Sequence, residues 1–398
     1  MNLLDHMTWI ESNGYDRNMH CDGLDAAMRP ERPITVDEAC SLRTLLFGDL
    51  QRTFGKEWSE QSFRFRRTKP FPYGIIQKRG GPCGVLAAVQ AYVLKEFLFG
   101  DHKSSLVSGA LRPTLSEKRI ALSYALTKIL WNAGRKGNAL VALRKDKIVL
   151  DEKIVSKDGI LEYVYLKHFN CRSCLLHHYL LNANELMDDN SGSCVLFLYS
   201  LILTHGIEET KRESENTEYL IGIDGFASQE IINLMLVGKA VPHLFDGNQE
   251  RDFGGSETSL LHGIPHKSEI GLLSALDQHC AIGSFYKNPM YPIFLLICGH
   301  HYTVLFGTSK RILMNSQDEF ILHHYDGFDK TETAFIIKPY HKINKKIRDD
   351  KKIKDEKKIK DEKETEDDNG IKNPVIKCIY TRWPKATILE KKKEDLDL

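Results

Sequence analysis

The chain has 398 residues, 42% of them hydrophobic and 27% charged, with 55 Lys and Arg against 54 Asp and Glu. That composition supports a large core, and the balanced charge excludes a global draw to nucleic acid or to an anionic membrane. Neither is expected as a partner.

The first twenty residues, MNLLDHMTWIESNGYDRNMH, lack the basic start and apolar run of a secretory signal. The longest apolar run, Val195 to Leu203, is far short of the roughly 20 residues that span a bilayer. Nine cysteines, odd in number and scattered through apolar surroundings, point to a reducing compartment. A cytoplasmic or nuclear location is expected.

Residues 1–30 are polar and aperiodic, as a loose extension would be. From Ile34 the texture turns globular: Val36, Ala39, Leu42, Leu45 and Leu46 recur at helical spacing. After the aromatic-rich stretch Phe63 to Tyr73, a Gly-Gly-Pro turn opens an apolar helix that runs from Cys83 to about Phe99. Ile120, Leu122, Ala125, Leu126, Ile129 and Leu130 predict an amphipathic helix ending near Gly134, and Ala139 to Leu143 a short apolar element. Val195 to Leu203 is apolar on all sides, which predicts full burial. Ile231, Leu234 and Met235 begin another helical pattern that runs towards Gly238.

Beyond Tyr291 come Ile293 to Cys298, Tyr302 to Phe306, Ile312 to Met314 and Phe320 to Tyr325, short β-branched and aromatic runs that read as an antiparallel meander. The fold class is therefore α+β: a helix-rich first half packed on a mostly antiparallel sheet from the second, with the chemistry where they meet. Residues 341–372 contain KKIKDE twice in succession, and Ile347, Ile353 and Ile359 recur every six residues. On a helix those isoleucines would spiral without forming a seam, so a disordered charged insert is expected. Residues 373–398 look globular again, so the main domain is read as 31–340 completed by this return.

The segment YGIIQKRGGPCGVLAAVQ carries the sharpest chemistry. Pro82 suits a helix's first positions, and the helix-start amides favour a thiolate over a thiol at Cys83. Six residues earlier stands Gln77, a side-chain amide able to donate to a developing oxyanion. A base must come from elsewhere, and PIFLLICGHHYTVLF offers His300 and His301 at a turn. Strand alternation sends the two to opposite faces, so only one is expected to meet the helix, and periodicity does not choose. His168, Cys171, Cys174 and His177 come at intervals of three, but on one helix they would rotate apart instead of converging on zinc. No metal or cofactor is expected.

Together these segments resemble the MINDY deubiquitinases, in the branch containing the third and fourth members. YGIIQKRGGPCGVLAAVQ is similar to that branch's nucleophile segment, GSCVLFLYSLILTHGIE to its buried helix and LVGKAVPHLFDG to a central segment. EIGLLSALDQHCAIGSFYKNPMYPIFLLICGHHYTVLF resembles the stretch that ends in its catalytic histidine, and LHHYDGF and CIYTRWPKATI its closing motifs.

The resemblance covers Pro33 to Leu389 apart from the charged insert, and it implies a papain-like cysteine peptidase. Cys83 would be the nucleophile, Gln77 the oxyanion-hole side chain, and His301 the base, because His301-Tyr302-Thr303-Val304 fits the family's pattern after its histidine. Asp326, in the YDG motif, is a candidate orienter of His301. The implied activity is thiol-dependent hydrolysis after the C-terminal glycine of ubiquitin, with preference for chains linked through lysine forty-eight. Ubiquitin and polyubiquitin are the expected partners of a monomer. The alternative is a catalytically silent ubiquitin-binding pseudoenzyme. Lys391 to Leu398 replace the family's acidic tail, and the long N-terminal region of the fourth member is missing, which makes that member's short paralogue the nearest relative.

Overall fold

Capping chemistry fixes the first helices. Helix α1 (Val36–Phe47) opens on a reciprocal pair of bonds between Thr35 and Glu38 and closes at Gly48, whose φ of 70° is left-handed. Helix α2 (Cys83–Phe99) follows Pro82, and helix α3 (Leu115–Ala133) opens on a second capping box, Thr114 with Glu117. The computed structural model describes residues 30–67, 71–101, 106–107, 110–134, 137–150, 156–215, 217–252, 258–276, 281–314, 318–328, 333–339 and 371–392. All but the last residue of the predicted N-terminal extension and all but the last two of the charged insert fall outside these.

The first half also holds a three-stranded antiparallel sheet, in the order β1 (Arg32–Pro33), β3 (Val164–Phe169), β2 (Ala139–Arg144). The short apolar element expected near Ala139 is thus a strand. Helix α4 (Arg172–Leu181) follows β3, and helix α5 (Ser193–His205) is buried along its whole length. Helix α6 (Gln229–Val237) ends at left-handed Gly238.

The main sheet comes from the second half. Its six strands are β4 (Gly271–Ser274), β5 (Ile293–Cys298), β6 (His301–Phe306), β7 (Phe320–Tyr325), β8 (Thr333–Lys338) and β9 (Thr387–Lys392), adjacent in that order. Only the β4–β5 pairing is parallel. The mixed helix-and-sheet class and the antiparallel meander match expectation, with one correction. Ile312 to Met314 is no strand, because Ser309 accepts the Arg311 N–H and curls Lys310–Leu313 into a 3-10 turn that buries Ile312.

Strand alternation divides the core in two. Val304 and Phe306 of β6 join the large cluster that encloses α2, α3, α5 and α6, whereas Leu305 joins a second cluster under helix α7 (Pro374–Arg382). Helices therefore cover both faces of the sheet. Among the described residues, no helix is long and apolar enough to cross a membrane.

Every residue of α2 from Cys83 to Leu94 is buried, and only one of the long side chains among them, Gln90, is polar. Burial obliges it to bond. Its Oε1 accepts the Ile75 N–H at 2.7 Å and its Nε2 donates to the Tyr73 carbonyl at 3.2 Å. Gln61 grips the same segment, donating to the Ile76 carbonyl at 2.9 Å and accepting the Lys78 N–H at 3.0 Å. The chain that carries Gln77 is thus clamped from both sides. Replacing Gln90 with Leu should cost about 1–3 kcal/mol for each backbone group left unpaired, read as a lower denaturant midpoint at unchanged slope.

Candidate active site

The path into α2 is sterically fixed. Gly81 has φ +108°, and a Cβ there would lie 2.9 Å from Glu57 Cγ and 3.2 Å from the Gly225 carbonyl. Only glycine suits that turn. Gly84 lies flush against two other elements, since a Cβ would meet Ile232 of α6 at 2.6 Å and the Tyr302 ring of β6 at 3.3 Å. Cys83 stands between them as the first residue of the helix, where its backbone N–H has no intrahelical acceptor.

Gly299, at φ +67°, turns the chain from β5 into β6. Of the two side chains at that turn, the His301 imidazole faces the site, and His300 meets the cysteine through its backbone alone. The Cys83 thiol donates to the His300 carbonyl at 3.7 Å, while His301 places Nε2 2.9 Å from Asp326 Oδ2 and lies near enough to Cys83 for the thiol to raise its pKa. His300 contributes through its backbone because it lies in the turn, ahead of the strand's alternation. Its ring stacks on Phe226, and the His301 ring on Phe328.

Gln77 lies beside them. Its backbone N–H donates to the Gly327 carbonyl at 3.2 Å, and its side-chain Nε2 donates to the Arg79 carbonyl at 2.8 Å. A void of ≈ 10 Å³ is lined by Gln77, Cys83, Tyr302 and Gly327 among others, about the room one water needs. All four residues singled out in the sequence, Cys83, Gln77, His301 and Asp326, therefore converge.

The charges favour an ionised site. The Asp326 hydrogen bond, then that of Cys83, raises the His301 imidazole to about 10. Burial opposes ionisation of Asp326, but His301 and the Phe328 N–H outweigh it and hold the carboxyl below its ordinary value. Two strands supply two opposite histidines, for burial drives His324 down to about 4 and its Nε2 meets only the neutral Thr303 hydroxyl, at 2.9 Å. Such an arrangement sets an imidazolium, oriented by a carboxylate, beside the Cys83 sulfur.

Several positioning residues escaped the sequence reading. Gln61 and Gln90 clamp the Gln77 segment, and Tyr302 Oη donates to Gln229 Oε1 at 2.8 Å, tying the histidine strand to α6. A lone polar residue within VLAAVQAYV was a usable signal for Gln90; nothing comparable marks Phe226 or Phe328. The His168 to His177 series differs from its reading too, since His168 lies in β3 and α4 starts only at Arg172. Among the described residues, the one group with metal-ligand geometry is His205, Glu209 and Glu213. There Glu213 already accepts from His205 at 2.8 Å, from the Ala240 N–H at 2.8 Å and from the Lys239 ammonium, so the network is satisfied without an ion.

Known proteins are similar to this chain over most of its length. Residues 43–390 match the family model described as "Deubiquitinating enzyme MINDY-3/4, conserved domain". The human protein named "Probable ubiquitin carboxyl-terminal hydrolase MINDY-4" is 34% identical over 365 residues, which cover 90% of this chain and 45% of that protein. The Drosophila melanogaster "Ubiquitin carboxyl-terminal hydrolase MINDY-3 homolog" is 30% identical over 330 residues, covering 69% of this chain and 57% of its own length. The Danio rerio MINDY-3 enzyme is 28% identical over 316 residues, 73% of this chain and 69% of that protein. The chain thus spans about half the length of the MINDY-4 relatives it matches. No solved structure matches it significantly. By the extent of the family match and the identity to these relatives, the chain belongs to the MINDY-3/4 family of deubiquitinating enzymes.

Proposed function

We propose that this chain is a papain-like cysteine peptidase that hydrolyses peptide and isopeptide bonds after the C-terminal glycine of ubiquitin. The observation that carries the reading is the His301–Asp326 pair at 2.9 Å, with the Cys83 thiol on the backbone carbonyl of the preceding residue, His300, at 3.7 Å. A helix-start thiol facing a histidine from an antiparallel sheet supports the papain-like assignment. The relatives' names support ubiquitin as the substrate class, and the resemblance extends this to a preference for lysine-forty-eight-linked chains. In the same reading, residues 31–340 and 373–398 form the catalytic domain, residues 341–372 an insert, and the enzyme works as an intracellular monomer.

The Cys83 thiolate attacks the glycine carbonyl, forming a C–S bond and pushing the carbonyl electrons onto oxygen. The Cys83 N–H and the Gln77 amide receive that oxyanion, Gln77 exchanging its Arg79 carbonyl for the new acceptor. His301 gives its proton to the departing lysine amine as the C–N bond breaks. Water then attacks the thioester with His301 as base, releasing the ubiquitin carboxylate and restoring the thiol. Asp326 holds the imidazole in orientation throughout and favours its cationic form.

Ubiquitin bearing a C-terminal electrophile should attach covalently to the wild-type protein through Cys83 and leave Cys83→Ala unmodified. Measurable ubiquitin binding without an adduct would instead identify a silent binding module. Gln77→Ala should lower kcat on di-ubiquitin by about 10²–10³-fold, the effect typical of one lost oxyanion donor.

The raised His301 value has a definite sign. The folded state binds this proton more tightly than the unfolded chain, so the stabilisation is complete below the unfolded value of roughly 6.5. It is lost as the pH rises to about 10. Asp326→Asn removes the first cause of the shift, and the His301 midpoint, followed by NMR of the ring protons, should fall by more than about one pH unit towards the ordinary histidine value. An unchanged midpoint would remove Asp326 from its orienting role.

A further inference from the structure

Two thiols outside the mechanism lie close to it. Cys298, the last residue of β5, has its sulfur 3.9 Å from that of Cys378 in α7, and Cys378 also donates to the Ile297 carbonyl at 3.7 Å. Across the β5–β6 pairing, Cys298 stands directly opposite His301. We infer that Cys298 and Cys378 form a reversible disulfide under peroxide, and that this bond draws the His301 turn away from Cys83.

Accessibility sets the order of events. Cys298 is partly exposed and Cys378 is fully buried, so peroxide meets Cys298 first. The Cys378 hydrogen bond holds the Cys298 thiol below its ordinary value against the cost of burial, and the charge of His301 acts in the same sense, which favours the reactive thiolate. The thiolate takes one oxygen from the peroxide to become a sulfenic acid as the first water leaves. The Cys378 sulfur then displaces that hydroxyl, the S–S bond forms and a second water departs. Two thiols are oxidised by two electrons and one peroxide is reduced.

Closing from 3.9 Å to a bonded sulfur separation of about 2.05 Å requires one side to move. Helix α7 is held, with Asn373 capping its start at 2.9 Å and Trp383 seated edge-on against Phe294. Gly299 and His300 are exposed to solvent, and their turn carries both the His300 carbonyl and His301. Misplacement by about 1 Å can cost ~10²-fold in rate.

The disulfide is testable apart from activity. The full-length Cys83→Ala protein is treated with hydrogen peroxide, alkylated and digested without reductant. A linked peptide joining Cys298 to Cys378, lost on adding dithiothreitol, supports the inference; separate alkylated or sulfinic Cys298 and alkylated Cys378 overturn it. The effect on the site rests on the peptidase reading and is read in wild type as labelling by electrophilic ubiquitin. Oxidation should slow labelling at least tenfold, with recovery in dithiothreitol, whereas Cys378→Ala, checked by circular dichroism, should show only the loss due to oxidation of Cys83 itself. Equal loss in both proteins, despite the linked peptide, would overturn the lock. If reduced wild type fails to label at all, the peptidase reading fails, while the peptide map still decides the disulfide.

Discussion

The start of α2 and the end of the β-sheet meet because α2 has no face to spare. A helix apolar all round must be covered all round, and α3, α6 and the strands β5 and β6 do so. Gly84 lets Ile232 and Tyr302 close on the helix start. The position of the Cys83 sulfur is therefore fixed by the bulk packing of a large core, which resists displacement far better than a single bond would. The Gln77 segment is carried along, because Gln90 of the same helix holds it.

On that rigid base, small differences in surroundings decide protonation. His301 and His324 belong to adjacent strands of one sheet. His301 meets a carboxylate at the sheet's end and stays charged, whereas His324 meets only a hydroxyl within the core and stays neutral. Asp326 follows Tyr325, whose hydroxyl donates to the Ile75 carbonyl at 2.6 Å. The carboxylate that steers the histidine and the chain that brings Gln77 are thus joined through one phenol.

Much of this was legible in the residues. Periodicity located α1, α3 and α6 because each has a sustained apolar pattern, whereas α5, apolar on all sides, was read from composition only as a buried element, and the Gly-Gly-Pro turn located Cys83 because few other contexts require it. Periodicity failed at Ile312, where a single serine cap outweighed a β-branched run. The clamps made by Gln61 and Gln90 were hidden for a different reason: side-chain bonds to distant backbone leave no spacing to read. Choosing His301 over His300 needed the family pattern, since both stand at the same turn.

The thiol of Cys83 and the carbonyl it touches at His300 are 217 residues apart in the chain. Contacts of such sequence separation form late, after the loop between them has been closed. During synthesis, α2 with Cys83 leaves the ribosome well before β6 with His301. A nascent or half-folded chain consequently holds a cysteine with no imidazole beside it, and the reactive pair exists only once the sheet has docked. The convergence of Cys83, His301 and Asp326 is in this sense a report that folding is finished.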